Sequence, residues 1–318
     1  MTASTTAPGA GIAIPAPGRP ARPRRKKAHT GHGAWPLLFV GPLAFGIAVF
    51  YLWPIVRTAY FSFTEWGVFG GSTWVGLENY QRLLADPELG RAALNTLIYT
   101  GVVVLGVPIG LVLAALLNRP GLRGATLYRT LFFLPYVAMP VAVAQVWKII
   151  YNGDYGVLNW ALGLIGIEGT YWVSTPGWSL IATAVLGLWL SLGFNIIILS
   201  AALRNVPRDL YEAAALDGAS PMRQFRSITI PMVGRSVFFL TVVTVIAGLQ
   251  LFDLLYTLVG TANPVMRDTK SLVYLFWEAS FPDNEKGYGA AIAIAILVIT
   301  ACVTAVQFLL QRKWVHDV

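Results

Sequence analysis

Residues 96–117 read TLIYTGVVVLGVPIGLVLAALL, a stretch without a single charged side chain. A helix needs about 20 consecutive apolar residues to cross the hydrocarbon core of a bilayer, which is about 30 Å thick. The whole chain has the same character, since 56% of its 318 residues are hydrophobic and 12% are charged, with a mean hydropathy of +0.63. This is more apolar surface than the core of a soluble domain can bury. The sequence therefore predicts a membrane protein.

Five further windows of this kind raise the predicted number of transmembrane helices to six. The predicted fold class is all-α, a polytopic bundle of six transmembrane helices. Prolines inside the windows, such as Pro108, Pro135 and Pro140, predict kinks that neighbouring helices in a bundle tolerate. The six windows are 35–53, 92–118, 130–147, 178–203, 236–259 and 287–311.

Basic residues near the windows predict the orientation of the chain. Sixteen lysines and arginines lie in the segments on one side of the predicted membrane, and five lie on the other. Because basic segments stay in the cytoplasm, both termini are predicted to be cytoplasmic. The net charge of +8 then reflects this topology and contact with anionic lipid, and nucleic acid is not an expected partner.

The amino-terminal 34 residues have a different composition from the rest. They are rich in Ala, Pro, Gly and Thr and carry a basic cluster at 19–27. So little apolar content predicts a disordered cytoplasmic tail over 1–34, followed by a membrane domain over 35–318. A cleaved signal peptide is the alternative, but the apolar run is long and lacks a small-residue cleavage site, which favours an uncleaved anchor.

The sequence offers little for cofactor or metal chemistry. Cys302 is the only cysteine, and His29, His32 and His316 lie in tails without ligand-like neighbours. No GxxxxGK[ST] phosphate loop occurs. We therefore expect no disulfide, no metal site, no bound cofactor and no ATP hydrolysis by this chain alone.

A polar connection over about 204–234 separates the fourth and fifth windows, and residues 211–231 of it read YEAAALDGASPMRQFRSITIP. Strong helix formers run from about Pro207 to Leu216, and Gly218 suits the left-handed position that ends a helix. Ser220 can cap a following helix, with Pro221 in its first turn. The pattern predicts a helix, a glycine bend and a second helix. The alternative is a plain amphipathic connector whose Leu210, Ala214 and Phe225 pack beneath the membrane domain.

The order Glu-Ala-Ala, Asp-Gly-Ala and a later Ile-Pro resembles the EAA loop of ABC-importer permeases, with Glu212, Gly218 and Pro231 at the matching positions. The runs GLENY at 76–80, RTLFFLP at 129–135 and GFN at 193–195 look like further landmarks of the carbohydrate-uptake permeases, similar to the maltose and glycerol-phosphate systems. One departure is 260–264, GTANP, where that family usually has Gly-Gly-Pro.

The resemblance implies a type I importer permease in the bacterial inner membrane, carrying a sugar. Its partners would be a second related permease, two ATP-binding subunits that use ATP and Mg, an external solute-binding lipoprotein and membrane lipid. The loop would dock in a cleft of the ATPase and drive alternating access, with Glu212 pairing with a basic group. The residues implied in this coupling are Glu212, Ala213, Ala214, Asp217, Gly218, Ala219 and Pro231.

Polar and aromatic residues inside the windows are candidates for a sugar path, because amides and hydroxyls bind sugar hydroxyls and aromatic faces cover the ring. These are Tyr136, Trp189, Asn195, Thr244 and Gln250. Asp253 is added as an ionisable residue in a predicted span, with a structural ion pair as its alternative role. The resemblance supports Tyr136 and Thr244 and adds Ser191, Phe194 and Gly248. Helix-to-helix packing is the alternative for each of them.

A secondary transporter driven by an ion gradient is the alternative function. It predicts internal repeats and paired intramembrane charges, neither of which the sequence shows.

Overall fold

The computed structural model describes residues 2–3, 35–67, 70–119 and 121–314. Apart from Thr2 and Ala3, the predicted tail over 1–34 lies outside these residues. The chain divides into two compact units, 1–51 and 52–318.

The first unit, as far as it is described, is helical. It contains α1 (Trp35–Ile47) and most of a π-helical segment (Ala48–Leu52). Its large side chains are exposed, among them Phe39, Phe45 and Phe50. A helix that is apolar all round suits a hydrocarbon surrounding. Residues Leu38–Phe61 form one span of 24 residues, so the first predicted window extends eight residues further than 53.

The second unit is almost entirely helical. Its helices are α2 (Trp53–Phe61), α3 (Glu78–Ala85), α4 (Pro87–Val104), α5 (Gly106–Leu117), α6 (Ala125–Val137), α7 (Pro140–Ile150), α8 (Val157–Gly163), α9 (Trp178–Arg204), α10 (Arg208–Leu216), α11 (Pro221–Gln224), α12 (Ile230–Met232), α13 (Gly234–Leu249), α14 (Asp253–Leu258), α15 (Met266–Thr269), α16 (Leu272–Ser280) and α17 (Lys286–Trp314). A second π-helical segment covers Phe225–Thr229, and two short strands, β1 (Thr64–Trp66) and β2 (Ser72–Trp74), form an antiparallel hairpin.

Over the described ranges, four helices are long and apolar enough to cross a membrane: Leu38–Phe61, Pro87–Leu117, Trp178–Arg204 and Lys286–Gln311. Two bent pairs, Ala125–Val137 with Pro140–Ile150 and Pro221–Met232 with Gly234–Leu249, bring the number to six if each is one span. The all-α membrane fold is confirmed, but two windows are not the continuous helices that hydropathy predicted.

The third window is broken. Helices α6 and α7 meet at 102°, and Met139, with φ −59° and ψ 122°, is extended at the junction. The ring of Pro140 clashes with a helical conformation of the residue before it, which accounts for the break. The prolines were expected to kink this helix, and the structure shows a full corner.

The fifth window is also broken. Helix α13 ends at Leu249 and α14 begins at Asp253. The carbonyl of Leu251, in the gap, accepts a 2.5 Å hydrogen bond from Ser271 Oγ, and the ring of Phe252 lies 5.3–6.3 Å from those of Tyr256, Tyr274 and Trp277. These distant partners stabilise a gap that the local sequence does not encode.

Helix α9 is the centre of the packing and contacts α4, α5, α6 and α13. Its approach to α5 depends on glycine, because a Cβ on Gly106 would lie 2.6 Å from Ser191 Oγ and one on Gly110 would lie 2.8 Å from Asn195 Cβ. Small residues of this kind allow membrane helices to pack closely without strain.

A polar clasp holds the connection between α15 and α16 against α4. The amide of Asn95 donates to the carbonyls of Asp268 (2.8 Å) and Lys270 (3.0 Å). The buried ammonium of Lys270 lies 2.8 Å from Glu88 Oε2 and also pairs with Glu278. Burial lowers the pKa of Lys270, but the hydrogen bonds that its ammonium donates to Glu278 and Glu88, with the negative charges of these carboxylates, outweigh burial and raise the pKa above its ordinary value. The ammonium of Lys270 therefore joins the loop after α15 to α4 through Glu88 and to α16 through Glu278.

Candidate functional site

The predicted coupling segment, residues 204–234, begins with α10 and ends that helix at a glycine. The amide of Ala219 donates to the carbonyl of Ala214 (2.9 Å) and that of Gly218 to Ala215 (3.0 Å), while Gly218 has a φ of +76°. These paired bonds form a Schellman motif, which satisfies the last carbonyls of a helix. The predicted helix and glycine bend are confirmed.

The second helix begins as predicted but continues differently. Ser220 Oγ accepts from the amide of Arg223 (3.4 Å), and Pro221 lies in the first turn. A π-helical turn then follows, in which the amide of Ile230 bonds to the carbonyl of Phe225. Pro231 has no amide hydrogen to continue the ordinary i to i−4 ladder, which accounts for the shifted register. Pro231 is therefore the sequence signal for this turn, in addition to its place in the EAA-loop pattern.

The base of the segment is packed firmly onto the ends of the spans. Val206 and Val233, near its two ends, are both buried, and the hydroxyls of Tyr211 and Thr229 are 2.9 Å apart. Phe225 packs against a core cluster that draws on α5, α9 and α13. The alternative interpretation was therefore correct for Phe225, whereas Leu210 is exposed.

The tip of the segment, around Leu216, is exposed. Leu216, at the end of α10, is 90% exposed, a signal that the sequence reasoning missed. Ala214 and Ala219 are half-buried and line a hollow of about 240 Å³ together with Arg223, Gln224 and Ile228. The remaining predicted coupling residues are all exposed: Glu212, Ala213, Asp217, Gly218 and Pro231. Of the seven predicted residues, five are thus exposed and two are half-buried, on a loop whose base packs against α5, α9 and α13.

Arg129 ties two spans together near this segment's base. Its Nη2 donates to the carbonyl of Leu117 and to Oδ1 of Asn118, both at 2.9 Å. A guanidinium at the last carbonyls of α5 satisfies an orphan acceptor and offsets the helix dipole. The arginine therefore fixes α6 to the end of α5.

Among the predicted sugar-path residues, Tyr136 and Phe194 come together. Their rings stack with centroids 5.2 Å apart and an interplanar angle of 20°, which joins α6 to α9. Tyr136 is 47% exposed. This pair presents an uncovered aromatic surface.

Other candidates are engaged in packing between helices. Ser191 Oγ donates to the carbonyl of Leu188 (2.7 Å) within α9, and a Cβ on Gly106 of α5 would lie 2.6 Å from the same Oγ. The ring of Trp189 lies 5.3 Å from that of Trp147. Thr244 is buried, and a Cβ on Gly248 would lie 2.7 Å from Thr100 Oγ1, so this stretch of α13 packs on α4. The structure does not bring these residues to one cavity with Tyr136.

Three amide or acid side chains have distinct positions. Asn195 is 1% exposed and faces α5, and its Nδ2 has no hydrogen-bond partner among the described residues. Gln250 and Asp253 are exposed and border the gap between α13 and α14. The prediction that Asp253 lies within a continuous span was wrong, because the helix stops at Leu249. Within the described part of the chain, no three His, Cys, Asp or Glu side chains are grouped to hold a metal ion.

Comparison with known proteins gives a consistent result. Residues 106–316 match the family model described as "binding-protein-dependent transport system inner membrane component". The chain is 35% identical to the lactose transport system permease protein of Rhizobium radiobacter, over 87% of this chain and 93% of that protein. It is 30% identical to the multiple sugar-binding transport system permease protein of Streptococcus mutans (91% and 98%) and to an sn-glycerol-3-phosphate transport system permease protein of Pectobacterium atrosepticum (87% and 94%).

Solved structures share the fold. A chain of a bacterial alginate ABC transporter, in complex with an alginate pentasaccharide-bound periplasmic protein, aligns with a TM-score of 0.78 at 21% identity. The alignment covers 88% of this chain and 95% of that one.

Proposed function

This chain belongs to the family of binding-protein-dependent transport system inner membrane components, and on that premise we propose that it forms the translocation path of an ATP-driven importer for a sugar or related polyol. The matched residues include α5, α9, α13 and the whole coupling segment. The observation that carries the proposal is the coupling segment, which is fixed at its base and bare at its tip. A loop that only connected two spans would not need both properties.

The energy for transport would come from other subunits. Leu216 and the exposed Glu212 and Asp217 give the tip an apolar centre with acidic neighbours, which suits a cleft with basic groups in an ATP-binding subunit. Two such subunits would use ATP and Mg, and this chain would bind no cofactor of its own. A second related permease and an external solute-binding lipoprotein complete the proposed assembly.

The base of the segment explains how motion would reach the path. Phe225, Val206 and Val233 pack with residues of α5, α9 and α13, so a displacement of the tip moves those helices with it. Since packed helices shift as bodies, closure of the ATPase subunits favours one arrangement of the spans over another. The corner between α6 and α7 and the bend between α12 and α13 are places at which such bodies would turn.

The sugar itself would meet the stacked pair of Tyr136 and Phe194. An exposed aromatic face covers the apolar face of a sugar ring, and the Tyr136 hydroxyl can donate and accept. The relatives named for lactose, multiple-sugar and glycerol-phosphate transport support a polyhydroxyl substrate. The half-buried Ser191 and the buried Thr244 and Gly248 would shape the path through helix packing.

The proposed location is the bacterial inner membrane with both termini in the cytoplasm. Cysteines introduced at Ser220, in the coupling segment, and at Asp283, between α16 and α17, should react with an impermeant reagent from opposite faces. Labelling of both from one face would contradict the orientation.

Uptake into proteoliposomes containing the assembled complex tests the function. Replacing the phosphate-binding lysine of the ATPase subunits should abolish uptake, and dissipating ion gradients with an ionophore should leave it unchanged. Uptake that persists without ATP hydrolysis and collapses with the ionophore would instead establish the secondary-transport alternative.

A further inference from the structure

The connection between α7 and α9, residues 151–177, exposes large apolar side chains although it belongs to no span. Trp160, Leu164 and Ile165 are 66%, 69% and 71% exposed, and Val157 and Ile167 are also exposed. They lie on α8 and on the turn that follows it. No residue from 155 to 167 is charged. A surface of this kind needs an occupant, because a soluble surface this apolar is uncommon.

The polar side chain of α8 is bonded within the connection, whereas the charged Asp154 and Glu168, on either side of 155–167, are exposed. Asn159, in α8, donates from Nδ2 to the carbonyls of Gly153 (2.8 Å) and Thr170 (3.1 Å). Its Oδ1 accepts from Trp172 Nε1 at 2.7 Å. One amide therefore fastens both ends of the connection to its middle. Over 155–167 the large apolar side chains are therefore exposed while the one amide side chain is engaged.

The other side of α8 is already covered, so the exposed side chains have nowhere to fold. Leu158 packs in a cluster with Trp147, Tyr151 and Trp172. The hydroxyl of Tyr171 donates to Asp154 Oδ1 at 2.5 Å and closes the connection at its outer edge. Because the packing of Leu158 and the hydrogen bonds of Asn159 and Tyr171 fix the backbone of the connection, the side chains of Trp160, Leu164 and Ile165 stay exposed.

The apolar surface is continuous along the chain with the spans that border it. Val146 and Ile149, near the end of α7, are exposed, and so are Trp178 and Ile181 at the start of α9. Trp172 and Trp178 pack edge to face at 5.0 Å. Trp and Tyr concentrate where a span meets the head-group region of a bilayer. This end of α7 and α9 therefore has the composition of a membrane interface.

We propose that α8 and the turn after it, residues 155–167, lie in the bilayer surface with Trp160, Leu164 and Ile165 inserted at the boundary between head groups and acyl chains. A protein partner would be expected to meet hydrogen-bonding groups, since specific interfaces carry about one hydrogen bond per 100–200 Å². Here the amide of Asn159 is already fully used within the connection. Lipid requires no hydrogen-bonding partners, and an uncharged apolar face that includes a Trp, here Trp160, suits an interfacial helix.

Nitroxide accessibility in nanodiscs of phosphatidylethanolamine and phosphatidylglycerol tests the proposal on the assembled complex. In a Cys302→Ser background, a spin label is attached to Leu164→Cys or, separately, to Ile165→Cys. Asp283→Cys provides the aqueous reference, and Val298→Cys, on the exposed side of α17, provides the lipid reference. ATPase activity of each labelled complex verifies that it is assembled, and the two test sites serve as substitutes if one label disturbs folding.

The expected result is that both test labels collide more often with oxygen than with a water-soluble nickel chelate, as at Val298 and unlike at Asp283. Three results would overturn the proposal. One is nickel access equal to that at Asp283. Another is access to the chelate that disappears only when the solute-binding protein is added, which assigns the surface to that protein. The third is a label that neither reagent reaches, which assigns it to the second permease.

Discussion

Replacing Gly218 tests the coupling segment most directly, because its role there is purely conformational. Its φ is +76°, and a Cβ built on it would meet nothing within 4 Å in this chain. Any cost of a side chain at this position therefore comes from the left-handed backbone alone. For an ordinary L-residue that cost is about 1–2 kcal/mol, which changes the ratio of bent to unbent loop by about 5–30-fold.

Valine and asparagine separate backbone strain from other effects of a side chain. Valine is β-branched and disfavours the left-handed region strongly, whereas asparagine tolerates it. We expect Gly218→Val to lower sugar-stimulated ATP hydrolysis per mole of assembled complex, by at most the about 5–30-fold change in the ratio of bent to unbent loop. Gly218→Asn should remain near the unmodified level.

The two variants together make the reasoning refutable. Full stimulation in Gly218→Val would show that the bend is not needed for coupling. Equal impairment of both variants would show that the partner subunit excludes any side chain at this position, and the strain argument would then be wrong. Co-purification of the ATPase distinguishes loss of docking from loss of transmission.

Three further changes have expected outcomes. Tyr136→Leu should lower uptake per assembled complex while Tyr136→Phe, which keeps the stack on Phe194, retains most of it; equal effects would remove the aromatic face from the path. Arg129→Leu leaves the last carbonyls of α5 unpaired and should lower thermal stability by about 1–3 kcal/mol, more than Arg129→Lys does, as measured by unfolding of the purified complex. Lys270→Met separates two carboxylates from their shared cation and should cost about 1–3 kcal/mol after discounting for their partial exposure. Because the folded-state pKa of Lys270 is raised above 10.5, its contribution to stability should be complete at neutral pH and disappear as the pH rises through that raised pKa, and the Lys270→Met variant should lack this alkaline loss.

The coupling segment could be predicted in detail because its signals act over a few residues. Gly218, Ser220 and Pro221 each determine the backbone next to them, and each has the predicted conformation. The π-helical turn was missed even though Pro231 encodes it just as locally. As a family landmark, Pro231 predicts only the identity of the loop. Its missing amide hydrogen also interrupts the i to i−4 hydrogen bonds of the preceding turn, and this second effect predicts the π-helical turn.

Hydropathy located the spans but could not show whether each is one helix. The corner between α6 and α7 had a readable signal, since the residue before Pro140 disfavours the helical region. The gap at 250–252 had none, because it depends on Ser271 and on rings at 274 and 277. The sugar path was hard to predict for a related reason. Which way Asn195 faces depends on Gly110 of another helix, and no spacing within α9 reveals that neighbour.

The π-helical turn at Phe225–Thr229 holds one residue more than an α-helical turn of the same length would need. A residue added to or taken from a helix rotates everything before it by about 100° around the helix axis, since 3.6 residues complete a turn. The number of residues in this turn therefore determines the direction in which the exposed tip points around the helix axis. This direction does not depend on which side chains the tip carries. Inserting or deleting one residue in this turn would therefore change the direction in which the coupling segment presents its tip to an ATP-binding subunit. The side chains of the tip would stay the same.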